Sequence, residues 1–285
     1  TAGDDPPKVS ISADGEYIVA GTSDDYDDDK VYFFNKDSST PLWNYTIGED
    51  APVTSVAISA DGEYIVVFAG DDKLYLFDKD SNTPLWQWDN SECGAADCTI
   101  FSVDISADGK YIAAGGGDKK VYLFEKDSST PLWSYTTNGG VQSVSISADG
   151  NFLAAANGNG GRVYYFEKNS STPLWSYYPG VANWEVAVSA DGGYIAAATG
   201  ENNNGYVELF AGNSSTPIWT DDTDVNALSV DISADGKYIT AGTHEKIFCY
   251  ERNSSTPLWT YDTGGDVRTI AISADGEYIV AGSED

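Results

Sequence analysis

The phrase Ser-Ala-Asp-Gly is written seven times in this chain, with its aspartates at Asp14, Asp61, Asp108, Asp149, Asp191, Asp235 and Asp275, 40 to 47 residues apart. Recurrence at that period means one supersecondary unit has been copied, and a unit this short buries its apolar face only by stacking on its neighbours. One copy, residues 141–178, holds four short runs rich in β-branched and aromatic residues: Val141–Ser147 (strand a), Asn151–Ala156 (b), Arg162–Glu167 (c) and Pro173–Tyr178 (d). The Asp-Gly after strand a suits a tight turn, because glycine accepts positive φ and aspartate bonds the backbone ahead of it. No segment carries sustained helical periodicity with caps, so the expectation is an all-β chain.

Strand a sharpens the expectation. Its two apolar slots hold pairs such as Val56 and Ile58, or Val230 and Ile232, while the residue between them is small or acidic: Ser10, Ala57, Asp104, Ser145, Ala187, Asp231 and Ala271. Large residues on one face and small ones on the other suit inner strands that converge where space tapers. The predicted architecture is a seven-bladed β-propeller forming one domain over residues 1–285, with repeats starting near 7, 53, 100, 141, 183, 227 and 267. At 41% apolar and 13% aromatic residues the chain has ample material for the core.

A second phrase, of the type Lys-Asp-Ser-Ser-Thr-Pro-Leu-Trp, occurs only six times and ends strand c and opens strand d. The last repeat reads Tyr-Ile-Val-Ala-Gly-Ser-Glu-Asp through Asp285 where a strand c would follow, so the last blade is expected to be incomplete, with strands a and b only. The N-terminal segment is short and acidic and carries Pro6 and Pro7, which cannot donate to a ladder, so it is not expected to supply the missing strands. The stretch Tyr278, Ile279, Val280, Ala281 would then be an apolar edge strand, which templates association unless covered. Completion is expected either from residues beyond Asp285 in a longer protein or from another subunit by β-augmentation, including self-association.

The run Lys120–Gly140 resembles the tryptophan-bearing repeat of quinoprotein-like (PQQ-like) propellers, and Val-Ser-Ile-Ser-Ala-Asp-Gly-Glu-Tyr-Ile-Val-Ala-Gly resembles the inner half of YVTN and WD40-like repeats. Similar mixtures occur in surface-exposed propellers of archaea and bacteria. The resemblance implies the propeller fold over nearly the whole chain and leaves function open, since propellers host many activities. It speaks against a quinone-dependent dehydrogenase, because those enzymes use eight blades and adjacent cysteines, whereas Cys93 and Cys98 are separated by four residues.

Charge narrows the partners. With 45 acidic and 15 basic residues the net charge is −30, which repels nucleic acid and anionic lipid heads, and no window reaches the ~20 apolar residues of a membrane helix. Such a surface favours solubility, divalent cations, basic protein surfaces or a salt-rich habitat. Asp24, Asp25, Asp27, Asp28 and Asp29 form the densest acidic run, a candidate Ca²⁺ site or else a solvated hairpin tip. Cys93 and Cys98 are expected to form a disulfide in a small polar loop, which implies an oxidising compartment; Cys249 stands where another copy has Leu123 and reads as a core thiol. The absence of Met and the start at Thr1 suggest that a start codon and a signal peptide have been removed.

The repeated tryptophans Trp43, Trp86, Trp133, Trp175, Trp219 and Trp259 share one slot of strand d, where an aromatic packs between neighbouring blades. Function is therefore sought where the copies differ. The slot just before the apolar pair of strand a holds Pro7, Thr54, Phe101, Gln142, Trp184, Leu228 and Arg268, and Phe101, Trp184, Glu185 and Arg268 are taken as a binding face at the mouth of the channel. One histidine, His244, leaves no recognisable nucleophile pair. The reading is a non-catalytic extracellular or cell-surface propeller that binds a protein or glycan in adhesion or assembly. The alternative is a secreted carbohydrate-active enzyme with Glu185 as its first candidate carboxylate.

Four Asn-x-Ser/Thr sequons, at Asn44, Asn169, Asn213 and Asn253, support the extracellular setting, and the last three stand where earlier copies carry Asp37, Asp80 and Asp127. At least one is predicted to carry a glycan in native material. An intact mass equal to that of the bare polypeptide would refute this.

Overall fold

The strands form where the two-residue alternation meets the turn phrases. In the computed structural model, which describes residues 8–22, 29–48, 51–94, 97–158 and 160–285, every regular element among the described residues is a β-strand. Six antiparallel sheets have four strands each in the order a-b-c-d, and the seventh has two. Sheet 2, for example, runs Val53–Ile58, Tyr64–Ala69, Lys73–Asp78 and Trp86–Asp89, whereas sheet 7 is Val267–Ile272 paired with Ile279–Ser283. This is the strand inventory of a seven-bladed β-propeller whose last blade is incomplete. The chain divides into two compact units, Thr1–Thr136 with sheets 1 to 3 and Thr137–Asp285 with sheets 4 to 7.

Within each unit the core lies between successive sheets. Val66, Phe68, Leu74 and Leu76 of sheet 2 pack with Ile100, Ile112 and Phe124 of sheet 3, and Ala154, Ala156 and Tyr165 of sheet 4 pack with Val186, Ile195 and Phe210 of sheet 5. Strand b is alanine-rich because it is covered on both faces, as the buried run Ala196, Ala197, Ala198 shows. Strand d alternates half-buried and exposed residues, the pattern of an outer strand with one face on the neighbouring sheet. In sheet 1, Val9 and Ile11 remain 61% and 57% exposed, unlike their counterparts Val56, Val103 and Ile105.

The Ser-Ala-Asp-Gly phrase closes the a-b turn and also ties successive sheets together within each unit. Ser12 donates to Asp14 Oδ1 at 2.6 Å, the same carboxylate accepts the Glu16 amide, and Ser12 Oγ accepts the Tyr17 amide. The alanine amide then reaches the corresponding alanine carbonyl of the following sheet: Ala13 to Ala60 and Ala60 to Ala107 in one unit, Ala148 to Ala190, Ala190 to Ala234 and Ala234 to Ala274 in the other. Gly62 of the second copy has φ +72°, and a Cβ there would come within 2.4 Å of the Tyr17 ring packed on it from sheet 1.

Several strand limits differ from expectation: strand a of sheet 4 ends at Ile146, strand b runs Phe152–Asn157, and strand d is only Trp175–Tyr177. Strand d begins at Trp175 rather than Pro173, because the Leu174 amide already donates to the Tyr165 carbonyl at 2.7 Å and the regular ladder starts one residue later. The last strand begins at Ile279 rather than Tyr278.

Gly62→Ala should lower the denaturation midpoint, at a cost of about 1–3 kcal/mol from the left-handed backbone, with the ring contact adding to it. Urea unfolding with an unchanged midpoint would contradict this account of the turn.

Candidate functional site

The variable slot of strand a turns out to be a β-bulge. Pairing shifts between Val53 and Ser55, Val141 and Ser143, Asn183 and Glu185, Ala227 and Ser229, and Val267 and Thr269, which leaves Thr54, Gln142, Trp184, Leu228 and Arg268 as the extra residues; Phe101 occupies the same place between Ile100 and Ser102. A bulge frees one residue from the ladder and re-aims its side chain, which is why this slot tolerates such varied residues. Trp184 is 40% exposed and its indole N–H donates to the Gly200 carbonyl at 2.8 Å. Arg268 pairs with Asp266 and Glu284, each at 2.8 Å, while Phe101 is half-buried.

Glu185 is half-buried and takes part in a contact between inner strands. In other copies its slot is Ser55, Ser143 or Ser229, and these residues brace neighbouring inner strands: Ser55 Oγ accepts the Val103 amide and Ser143 Oγ accepts the Val186 amide. Glu185 does the same with a longer reach, its Oε2 accepting the Val230 amide at 2.8 Å. Asp231 makes the corresponding contact to sheet 7, accepting the Ile272 amide at 2.8 Å. Burial pushes the Glu185 carboxyl up to about 8, the Val230 amide opposes this, and the nearby Asp231 adds to it; burial likewise pushes Asp231 up to about 6. One oxygen of that carboxyl, Oε2, is thus taken up by a backbone amide.

Another buried acid was not singled out by the pattern. Glu208 of strand c in sheet 5 stands where sheets 2 and 3 have Tyr75 and Tyr122; Tyr177 of sheet 4 donates to its Oε1 at 2.9 Å, and burial pushes it up to about 7. His244 lies in a groove of about 750 Å³ with Asp224, Glu245, Lys246 and Phe248, and its Nδ1 is 2.6 Å from Asp266 Oδ1. No group of three or more His, Cys, Asp or Glu side chains among the described residues is arranged to hold a metal. Of the acidic run, Asp24, Asp25, Asp27 and Asp28 lie outside the described residues; Asp29 is buried, and its carboxylate accepts the Ala51 amide.

Cys93 and Cys98 are joined, with Cα atoms 5.7 Å apart, in the loop between sheets 2 and 3, where Asn90 Nδ2 donates to the Cys98 carbonyl at 2.7 Å. Cys249 is buried and free, and burial raises its thiol pKa. Asn44, Asn169, Asn213 and Asn253 are all exposed. The c-d turns are closed by serine rather than by the Asp or Asn side chain itself: Ser170 Oγ accepts the Thr172 amide, while Asp80 pairs with Lys79. The exchange to Asn therefore leaves the turn bonds in place and removes only the ion pair.

The open edge is the most distinctive surface. Tyr278 is 73% and Val280 68% exposed beside a strand that has no further partner among the described residues. The outer strand of the neighbouring sheet 6 is Trp259–Asp262. Elsewhere the strand-d tryptophan donates to a carbonyl of the next sheet: Trp43 to Lys79, Trp86 to Lys126, Trp175 to Gly212 and Trp219 to Arg252. Trp259 has no such partner among the described residues and is 43% exposed, and Tyr261 is 64% exposed.

Comparison with known families agrees with this architecture. Residues 70–203 match the family described as outer membrane protein assembly factor BamB, and residues 40–78 and 255–285 match the WD domain, G-beta repeat. The chain is a repeat β-propeller of the PQQ-like and WD40-like kind. No curated protein matches it.

The buried Glu208 and the half-buried Glu185 and Asp231 fix the sign of a pH effect. Each has a folded pKa above its ordinary value of 4.5 or 3.8, so the stability it contributes is full below that value and is lost as pH rises through about 6 (Asp231), 7 (Glu208) and 8 (Glu185). Glu185→Gln should therefore reduce the fall in unfolding free energy between pH 6 and 8. A fall as steep as in the parent, followed by denaturant titration at both pH values, would contradict the burial of this carboxyl. Thiol counting in denaturant without reductant should find one thiol, that of Cys249, and three would refute the pairing of Cys93 with Cys98.

Proposed function

We propose that this chain is a non-catalytic protein-interaction module, displayed outside the cell in adhesion or assembly, in which the edge of sheet 7 accepts further strands, either from residues beyond Asp285 of a longer protein or from another subunit. Propeller repeats of both matched kinds generally mediate protein interactions and are generally non-catalytic. The observation that carries the reading is the contrast between six four-stranded sheets and one two-stranded sheet whose Tyr278 and Val280 stand in solvent. An uncovered apolar edge with free N–H and C=O groups is a ready template for another strand. The disulfide in the Cys93–Cys98 loop and the exposure of all four sequons support an oxidising, extracellular setting.

A photo-crosslinking amino acid at position 280, expressed in the source cells, should give one dominant adduct, with another protein or with a segment of the same polypeptide beyond Asp285. The same residue at position 132, where Leu132 is 49% exposed on a complete sheet, should not give that adduct. No adduct at 280, or the same products at both positions, would overturn the assignment of the edge.

A further inference from the structure

The residue two places beyond the second aromatic of strand c is basic in five of the six complete repeats, Lys36, Lys79, Lys126, Lys168 and Arg252, and is Gly212 in sheet 5. The residue ahead of strand b is Glu16, Glu63, Lys110, Asn151 or Lys237 in those repeats and is Gly193 in sheet 5. Where the basic side chain is present it covers an aromatic ring of the preceding sheet. Lys126 Nζ lies 4.9 Å from the ring centroid of Tyr64, and the Arg252 guanidinium lies 4.5 Å from that of Tyr194, with Nη1 donating to the Asp235 carbonyl at 3.2 Å. Lys79, whose carbonyl takes the Trp43 N–H, pairs with Glu63 at 3.3 Å. Gly212 brings no side chain to the corresponding ring of sheet 4, Phe152. Glycine fits there because Tyr165 stands where sheet 1 has Phe33 and sheets 2 and 3 have Leu76 and Leu123. The Tyr165 hydroxyl donates to the Gly192 carbonyl, and a Cβ on Gly212 would come within 2.7 Å of that carbonyl and 3.1 Å of the hydroxyl.

The result is a pocket of about 640 Å³ between sheets 4 and 5. Phe152, Tyr165 and Trp175 line it as a stack with ring centroids 5.6 and 5.3 Å apart, and Asp191 stands exposed at its rim. The Trp175 ring is held in place by its N–H, which donates to the Gly212 carbonyl at 2.9 Å. Two carboxylates bear on the pocket: burial raises the Tyr165 hydroxyl, and the charges of Asp191 and Asp149 add to the rise. Aromatic faces beside carboxylates attract a cation, and the planar arginine guanidinium both stacks on a ring and donates in the ring's plane. Resting on the reading of the chain as a protein-interaction module, we propose that this pocket receives an arginine side chain of a protein partner, in the place that Lys126 and Arg252 fill from within the chain at other junctions. The guanidinium lies over Phe152, and Asp191, the counterpart of Asp235, accepts from it. A net charge of −30 draws a basic partner surface toward this face.

The test titrates N-acetyl-arginine methylamide into the nitrogen-15-labelled whole chain and follows amide and indole resonances. Saturable shifts of the Trp175 indole N–H and of the Gly192, Gly193 and Gly212 amides are expected, with binding weakened about tenfold for the neutral citrulline analogue. A chain carrying Tyr165→Phe, Gly193→Glu and Gly212→Lys copies Phe33, Glu63 and Lys79 of the junction between sheets 1 and 2, keeps the net charge unchanged, and should lose these shifts. Equal binding of the arginine and citrulline probes would overturn the reading of the pocket as a cation site, and that comparison needs no variant. Shifts spread over the acidic surface and equal in the triple variant would reduce the effect to net charge and overturn the pocket, as would no shift at millimolar probe. In the source cells a photo-crosslinker at position 174, where Leu174 lines the pocket, should give a protein adduct that the triple variant loses. An adduct retained by the variant, or none at all, would overturn the protein partner. Each of these failures leaves the adduct at position 280, and with it the interaction reading, untouched.

Discussion

The contact on which successive sheets depend is the strand-d tryptophan. Trp86 stacks on Phe124 of the next sheet and donates its N–H to the Lys126 carbonyl at 2.6 Å, so one side chain joins an apolar surface to a polar anchor. The stacking contributes about 0.5–1.5 kcal/mol beyond area burial and the hydrogen bond roughly 0.5–1.5 kcal/mol, small values that recur at junctions within each unit. Because the acceptor is a backbone carbonyl at a fixed offset, the residue supplying it varies freely among Lys79, Lys126, Gly212 and Arg252. What the junction requires is an aromatic two residues earlier, and that requirement shapes strand c of every following repeat.

Acidic residues enter this framework in two opposite ways. The turn aspartates sit at the surface with their charge satisfied: the Ser12 hydroxyl and the Glu16 amide hold Asp14 below the usual carboxylate range, and Ser273 and Glu277 do the same for Asp275. The inner acids Glu185 and Asp231 accept amides from the next inner strand but are raised by burial, so their charged forms are disfavoured. A net charge of −30 is therefore carried mainly where water solvates it, and the few acids placed between inner strands serve as hydrogen-bond acceptors.

Most of the strand order was legible because turn phrases and two-residue alternation are local signals. The bulges were not: Trp184 and Arg268 read as variable residues in a regular strand, and only pairing with strand b shows the extra residue. The strand-bracing contact of Glu185 was illegible for a related reason. A carboxylate beside a variable slot looks chemical in sequence, while its role as an extended version of Ser55 and Ser143 depends on an amide 45 residues away. The disulfide was legible from the short loop, whereas the His244–Asp266 pair joins loops 22 residues apart and left no trace in spacing.

A two-stranded last sheet is tolerable in such a molecule because stability in a repeat array is close to a sum of unit and nearest-neighbour terms. The inner junction of sheet 7 is complete among the described residues: Asp231 accepts the Ile272 amide and Ala234 reaches Ala274. Trp259, Tyr261, Tyr278 and Val280 are four large apolar side chains exposed beside an edge that has no further strand among the described residues. The same features that make the edge hazardous in isolation, free ladder groups flanked by aromatics, are those that give a complementary strand both affinity and register.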